Sequence, residues 1–152
     1  MNRNAKILII CPKQDGNTYR VAEAMKANTN ADLLVLENPS GYVLEDYNHI
    51  VICSGVYGDK IHAQLYGWLS ELKESSLQED VIFHVFLTWF GRGKSDRNAY
   101  KEAAKILKSK GIACSRSYGS CLGGKWFIRA GHPNGDDFKQ AVAWLKGCCT
   151  DI

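Results

Sequence analysis

The stretch from Lys6 to Met25 constrains the fold of this chain more than any other. It begins with the apolar run Ile7–Ile10, whose lack of alternation is typical of a strand buried on both faces. Pro12 and Gly16 interrupt the run, and from Thr18 onward apolar residues recur at helical spacing. A strand, a tight polar loop and a helix start direct free N–H groups toward one point. Such a point binds anions, phosphate above all.

Apolar runs and helical segments continue to alternate along the chain. Further strands are predicted over residues 31–37, 50–53, 81–88 and 112–118, further helices over residues 62–72 and 98–110, and an irregular segment over residues 119–135. Asp136 or Asp137 is the expected N-cap of a last helix. Without an internal repeat or a linker, this pattern predicts one doubly wound α/β domain over residues 1–152.

Charge and cysteine spacing argue against several kinds of protein. The net charge of +3 comes from scattered lysines and arginines, so no nucleic acid partner is expected. Six cysteines form no Cys-x-x-Cys pair and the histidines supply no ligand spacing, so no metal site is expected. We find no signal peptide and no continuous apolar run near 18 residues. We therefore expect a cytoplasmic protein with reduced thiols and no stable membrane insertion.

Three polar loops follow predicted strands, at residues 13–18, 54–60 and 89–94. Because the carboxyl ends of parallel strands meet at one edge of a sheet, these loops are expected to converge on one site. The first loop lacks the glycine and lysine spacing of a P-loop. Gly91 and Gly93 begin a dinucleotide fingerprint, but Asp96 replaces its third glycine. The remaining interpretation is a ligand with a single phosphate, bound at the start of a helix. Tyr57, Trp89 and Phe90 provide flat stacking partners for an aromatic part of that ligand.

These segments resemble the flavodoxin family, in its short-chain, single-domain form. The resemblance is carried by Lys-Ile-Leu-Ile-Ile, by Gly16-Asn17-Thr18 and by Ser54-Gly55-Val56-Tyr57, together with the loop after the fourth strand. The segment Gly131-His132-Pro133-Asn134 is similar to a Gly-x-Pro-Asn segment before the last helix of that family. The resemblance implies a flavodoxin-like sheet of five parallel strands in the order 2-1-3-4-5, with helices on both faces.

The resemblance also implies a bound FMN. The first loop would wrap the phosphate, the second would pass beside the isoalloxazine with Tyr57 as a stacking ring, and the third would contact the pyrimidine edge. The cofactor-binding residues implied are Lys13, Gln14, Asp15, Gly16, Asn17, Thr18, Ser54, Gly55, Val56, Tyr57, Thr88, Trp89, Phe90 and Gly91. No catalytic residue is assigned, because the cofactor carries the chemistry of electron transfer.

Three functions remain open at this point. The first is an electron carrier, monomer or homodimer, that serves redox partner proteins, a reductase and an acceptor. The second is an FMN-dependent oxidoreductase acting on a small molecule, such as a quinone or NAD(P)H reductase or an enzyme similar to the flavodoxin-like protoporphyrinogen oxidase. The third is a binding module that has lost its flavin. It is favoured only by the first loop, where Cys11 to Asp15 replace the hydroxyl residues typical of the family.

Overall fold

The structure is a computed structural model that describes residues 5–39, 41–124 and 131–149. Its strands and helices, in chain order, are β1 (Ile7–Cys11), α1 (Gly16–Ala27), β2 (Asp32–Val35), β3 (His49–Gly55), α2 (Ala63–Glu71), β4 (Ile82–Trp89), α3 (Ser95–Ser109), β5 (Ala113–Cys114), β6 (Gly119–Leu122) and α4 (Gly135–Cys149). Two single-turn 3-10 helices occupy Leu44–Asp46 and Glu74–Ser76.

The strands form one parallel sheet. Its order is β2-β1-β3-β4-β5, and β6 also pairs with β4. The predicted flavodoxin-like, doubly wound α/β fold with the strand order 2-1-3-4-5 is therefore confirmed. β3 is longer than predicted and includes Ser54 and Gly55, whereas β2 is shorter than the predicted residues 31–37.

The fifth position in the sheet is filled by two short strands, and the prediction of one strand over residues 112–118 is wrong. β5 pairs with the start of β4 at residues 82–83, and β6 pairs with its end at residues 86–89. The expected irregular segment is likewise wrong for residues 119–122, which form β6. Residues 125–130 of that expected segment lie outside the described residues.

Side-chain hydrogen bonds to α3 explain the interruption. The Tyr100 hydroxyl donates to the Ser115 carbonyl oxygen at 2.5 Å, and the Tyr118 hydroxyl donates to Asp96 Oδ2 at 2.7 Å. The rings of Tyr100 and Tyr118 stack with their centroids 4.9 Å apart. Because these contacts hold the intervening segment against α3, the chain leaves the sheet after β5 and returns to it at Gly119.

The last helix is capped by Asn134, and not by Asp136 or Asp137 as predicted. Asn134 Oδ1 accepts a hydrogen bond from the Asp137 N–H at 3.1 Å, and Asp137 Oδ2 accepts one from the Asn134 N–H at 2.8 Å. His132 Nδ1 lies 2.5 Å from the same carboxylate oxygen. This reciprocal pair is a capping box, in which the acidic residue stands three positions after the cap.

Helices cover both faces of the central strands. On one face, Leu8 and Ile10 of β1 belong to a core shared with buried residues of α2 and α3. On the other face, Ile7 and Ile9 belong to a core shared with buried residues of α1 and α4. The alternation of side chains along a strand therefore feeds two separate cores. With both faces covered, the edges where strands end are the places at which a ligand can reach the sheet.

None of the described helices is long and apolar enough to span a membrane.

Substitution of Gly119 tests the placement of β6. A Cβ atom at Gly119 would lie 2.6 Å from the Phe86 ring and 2.7 Å from the Trp144 ring. We expect Gly119→Ala to lower the free energy of unfolding by about 1–3 kcal/mol, because the buried Phe86 ring and the half-buried Trp144 ring must move. Urea denaturation measures the change.

Gly147→Ala is the matched control. Gly147 lies within α4, and a Cβ there would meet no heavy atom within 4 Å. Alanine is the better helix former, so this variant should gain about 0.5–1 kcal/mol. Equal effects of the two substitutions would contradict the packing of β6 described above.

Candidate functional site

A cleft of about 380 Å³ opens at the carboxyl edge of the sheet. It collects residues that follow β1, β3, β4 and β6, and it is lined by Pro12, Lys13, Asp15, Gly16, Asn17, Thr18, Gly55, Val56, Tyr57, His62, Thr88, Trp89, Phe90, Gly123 and Gly124. In open parallel sheets, ligands bind at this edge, where the direction of strand order reverses. The three loops that the sequence predicted to converge do meet here.

The start of α1 forms the first wall of the cleft. Asp15 precedes the helix with an extended backbone, its side chain makes no capping hydrogen bond, and Gly16 has a φ of 84°. The first N–H groups of a helix have no partner within the helix, so they remain donors at this wall. Lys13 adds a positive charge beside the helix start, whereas the Asp15 carboxylate opposes it.

Two hydroxyl groups join this wall to the sheet. Thr18 Oγ1 and Thr88 Oγ1 lie 3.0 Å apart and form a buried hydrogen bond between α1 and β4. The pair has two hydroxyl hydrogens and uses one of them in this bond, which leaves the other to donate elsewhere. Asn17 supports the same wall, because its Nδ2 donates to the Gly124 carbonyl oxygen at 2.9 Å.

Tyr57 forms the second wall. Tyr57 and Lys60 exchange two backbone hydrogen bonds of 2.8 and 3.0 Å, and the residues between them, Gly58 and Asp59, have φ values of 55° and 67°. This is the two-residue turn with positive φ at both positions that closes a tight hairpin. The Tyr57 ring folds back over Gly55, where an added Cβ would lie 2.8 Å from the phenol oxygen. The ring remains 57% exposed, so one side of it is open to a ligand.

His62 stands next to that ring and caps α2. The two rings meet edge to face with centroids 5.5 Å apart. His62 Nδ1 accepts a hydrogen bond from the Gln64 N–H at 3.1 Å, and the His62 backbone N–H donates to Ser54 Oγ at 2.9 Å. Burial, and then the positive charge of Lys13, lower the pKa of His62 below its ordinary value. The imidazole is therefore neutral at pH 7, with its proton on Nε2.

Backbone hydrogen bonds hold the end of β4, which forms the third wall. The Val56 N–H donates to the Thr88 carbonyl oxygen at 3.2 Å, and the Gly123 N–H donates to that of Trp89 at 2.9 Å. The Gly124 N–H donates to the His132 carbonyl oxygen at 2.8 Å, which ties this rim to the segment before α4. The rim after β6 is therefore hydrogen-bonded both to β4 and to the segment before α4.

Most of the residues implied by the family resemblance line the cleft, and three do not. The Gln14 N–H donates outward to Glu37 Oε1 at 2.8 Å. Ser54 is fully buried, and its hydroxyl donates to the Gly55 carbonyl oxygen at 2.6 Å. Gly91 has a φ of 77° and lies in the turn beyond the lining residues.

The sequence did not assign Pro12, His62, Gly123 or Gly124 to the site. Gly123 and Gly124 follow β6, a strand that the pattern did not predict, so no signal placed them at the carboxyl edge. A Cβ at Gly123 would lie 3.2 Å from Asn17 Nδ2 and 3.3 Å from Thr88 Cβ. The close approach of these two side chains to the backbone explains why glycine fits there.

The cysteines near the cleft do not supply reactive thiolates. Burial, and then the nearby charge of Glu37, raise the pKa of Cys11 to about 12. Cys53 is 1% exposed, and burial raises its pKa well above the ordinary value. Both thiols remain protonated at neutral pH, as expected of core residues.

The titration of His62 provides a test of the second wall. We expect its imidazole to titrate below pH 6.5, the ordinary value, because burial and Lys13 disfavour the charged form. NMR of the ring nitrogens measures this directly. Lys13→Gln should move the pKa upward by removing one of the two causes, whereas a wild-type value at or above 6.5 would contradict the geometry.

The lowered pKa of His62 also determines how the free energy of unfolding changes with pH. With its pKa lowered in the folded state, His62 contributes its full stability above the unfolded value of 6.5. That contribution is lost as the pH falls through the lower, folded value, because the unfolded chain binds the proton first. The difference in unfolding free energy between wild type and His62→Asn should therefore shrink on acidification.

Known proteins are similar to this chain in sequence and in fold. A family model described as a flavodoxin domain matches residues 8–122, which is more than half of the chain. An uncharacterized protein of Methanocaldococcus jannaschii is 28% identical over 137 residues, which cover 86% of this chain and 88% of that protein.

Two solved structures show the likeness in three dimensions. Oxidised flavodoxin 1 from Bacillus cereus superposes with a TM-score of 0.64 at 16% identity, covering 92% of this chain and 94% of that one. An NADH:FMN oxidoreductase in its apo form superposes with a TM-score of 0.67 at 10% identity, covering 97% of this chain and 91% of that one. At these identities the structures establish a shared fold. Together with the family model, they show that this chain belongs to the flavodoxin family.

Proposed function

We propose that this protein binds FMN in the cleft at the carboxyl edge of the sheet and carries electrons between redox partner proteins, a reductase and an acceptor. The observation that supports this most strongly is the composition of the cleft. One cavity combines a helix N-terminus on one wall with aromatic rings on the other two. Its volume falls within the range of roughly 300–1,000 Å³ that is common for small-molecule sites.

The start of α1 suits the phosphate of FMN. The backbone N–H groups of its first turn are donors, and the hydroxyl pair of Thr18 and Thr88 has one hydrogen left to donate. Lys13 adds positive charge to the same wall, and Asp15 subtracts from it. The site therefore binds an anion through oriented donors more than through net charge.

The aromatic walls suit the flavin ring. Tyr57 is 57% exposed and Phe90 is 42% exposed, and both line the cleft together with Trp89. Exposed flat rings offer stacking partners without fixing the oxidation state of what they hold. When bound, the flavin supplies the uptake and release of electrons, and the protein supplies orientation and electrostatics.

Electron transfer to protein partners fits the shape of the site. The exposed faces of Tyr57 and Phe90 leave the mouth of the cleft open to a docking protein. Among the described residues that line the cleft, His62 is the one imidazole, and its Nδ1 is occupied as the cap of α2. The described lining residues thus bind and orient the flavin, and they do not form a pair of general acid and general base.

One observation favours a second function, that of an FMN-dependent oxidoreductase acting on a small molecule. The neutral His62 imidazole keeps a proton on Nε2, and its ring lies 5.5 Å from the Tyr57 ring at the cleft wall. A proton donor at that position could serve a substrate reduced beside the flavin. Steady NAD(P)H or quinone turnover without a protein partner, reduced in His62→Asn, would establish this function over the first.

Paired titrations with FMN and riboflavin test the phosphate end. Lys13→Gln should weaken FMN binding, and Asp15→Asn should strengthen it, each by about three- to tenfold, the effect of one charge at a partly exposed site. Neither variant should change the affinity for riboflavin, which lacks the phosphate. Equal effects on both ligands would place the phosphate somewhere else.

The same titrations test the ring end. Tyr57→Ala should weaken FMN and riboflavin alike, by about tenfold or more, because the stacking partner is lost. Tyr66→Ala is the matched control, since Tyr66 is an exposed tyrosine on α2 that does not line the cleft. Affinities that are unchanged in Tyr57→Ala, or equally weakened in Tyr66→Ala, would refute the assignment.

A further inference from the structure

A second cluster of reactive side chains lies at the amino edge of the sheet, opposite the cleft. His49 is the first residue of β3, His84 is near the start of β4, and Cys149 is the last residue of α4. All three are buried, with exposures of 6%, 3% and 1%. One potential ligand atom from each lies within 4.8 Å of the other two. Cys148 joins them, because its Sγ lies 3.4 Å from that of Cys149.

The sheet register brings the two histidines together. His49 pairs with Ile82 and Val51 pairs with His84, so the two imidazoles stand two positions apart on the same face. His49 Nδ1 and His84 Nε2 lie 3.0 Å apart. α4 covers this face and presents the two cysteines at its end. The residues lie on three separate elements, which is why sequence spacing predicted no metal ligands.

His84 is incompletely bonded in this arrangement. Its Nε2 faces His49, whereas its Nδ1 is buried and has no hydrogen-bond partner among the described residues. Nearly all buried polar atoms of native proteins have a protein, water or ion partner. The orphaned nitrogen indicates that protein groups alone do not complete the bonding of this cluster, and that a water or an ion is missing from it.

We propose that the cluster formed by His49, His84, Cys148 and Cys149 binds one zinc ion. Zinc prefers four nitrogen and sulfur ligands in a tetrahedron, with bonds of about 2.0–2.3 Å, which puts the ligand atoms about 3.3–3.8 Å apart. The structure gives two of these distances, 3.0 Å between the imidazole nitrogens of His49 and His84 and 3.4 Å between the sulfur atoms of Cys148 and Cys149. Both lie within a few tenths of an ångström of that range. The other distances among His49, His84 and Cys149, which are at most 4.8 Å, must adjust for the cluster to enclose the ion.

The charges of this site also balance. Two thiolates neutralise a divalent cation, so the buried site carries no net charge, and coordination offsets the cost of removing these ions from water. Zinc binding releases the two thiol protons, whereas each imidazole keeps one N–H on the nitrogen that does not bind the ion. The half-buried Cys148 gives the ion a route to the surface. A bound ion would tie the end of α4 to β3 and β4.

Cobalt titration of the full-length chain tests the proposal. The protein, stripped by a chelator and kept in a non-thiol reductant, should bind one cobalt ion per chain. Binding should produce the near-ultraviolet absorption of cobalt–thiolate charge transfer and the visible bands of tetrahedral cobalt. Zinc should displace the cobalt and erase these bands. The titration needs no flavin, so its outcome is independent of the function proposed for the cleft.

Two variants and one control locate the ion. Cys149→Ser and His84→Asn should each weaken cobalt binding by at least about tenfold, the loss seen even when a supporting residue is removed. Cys114→Ser is the matched control, because Cys114 is a half-buried thiol that packs on the opposite face of the sheet, and it should bind as wild type does.

The proposal fails if wild-type protein shows no cobalt–thiolate absorption, which would mean that water alone completes the cluster. It also fails if binding persists unchanged in Cys149→Ser and His84→Asn, which would mark an adventitious ion. If either variant does not fold, Cys148→Ser at the half-buried position takes its place. The wild-type spectrum decides the question in any case.

Discussion

Burial of the central strands on both faces is the constraint on which the rest of this structure depends. Side chains of β1 alternate between two cores, one shared with α1 and α4 and the other with α2 and α3. A sheet covered in this way meets solvent only where its strands end. The carboxyl edge therefore collects the loops after β1, β3 and β4, and with them the helix start and the aromatic rings of the cleft. The amino edge collects a different set, two histidines and two cysteines.

The local parts of this architecture could be predicted from the sequence. The apolar run of β1, the breaking residues after it and the helical spacing of α1 are contained in twenty consecutive residues, and the structure confirms them. The convergence of the three loops followed from the geometry of parallel sheets. Tyr57, Trp89 and Phe90 were recognisable as flat partners because they stand in the polar loops that follow predicted strands.

What the sequence could not reveal depends on contacts between distant residues. The split between β5 and β6 results from hydrogen bonds of Tyr100 and Tyr118 that join α3 to the segment between the two strands. No local sequence pattern encodes these bonds. Gly123 and Gly124 reach the cleft only because β6 exists. The cluster at the amino edge arises from the register between β3 and β4 and from the length of α4. Each missed feature depends on pairing between residues that are distant in the sequence.

The central claim is that the N-terminus of α1 receives the phosphate of FMN. Amide NMR of the wild-type protein tests it most directly, by comparing the spectra with FMN and with riboflavin. The account predicts that both ligands shift the amides of residues 55–57 and 88–90, and that only FMN shifts those of Gly16, Asn17 and Thr18. Shifts confined to other parts of the chain, or the same shifts at the start of α1 with both ligands, would contradict it.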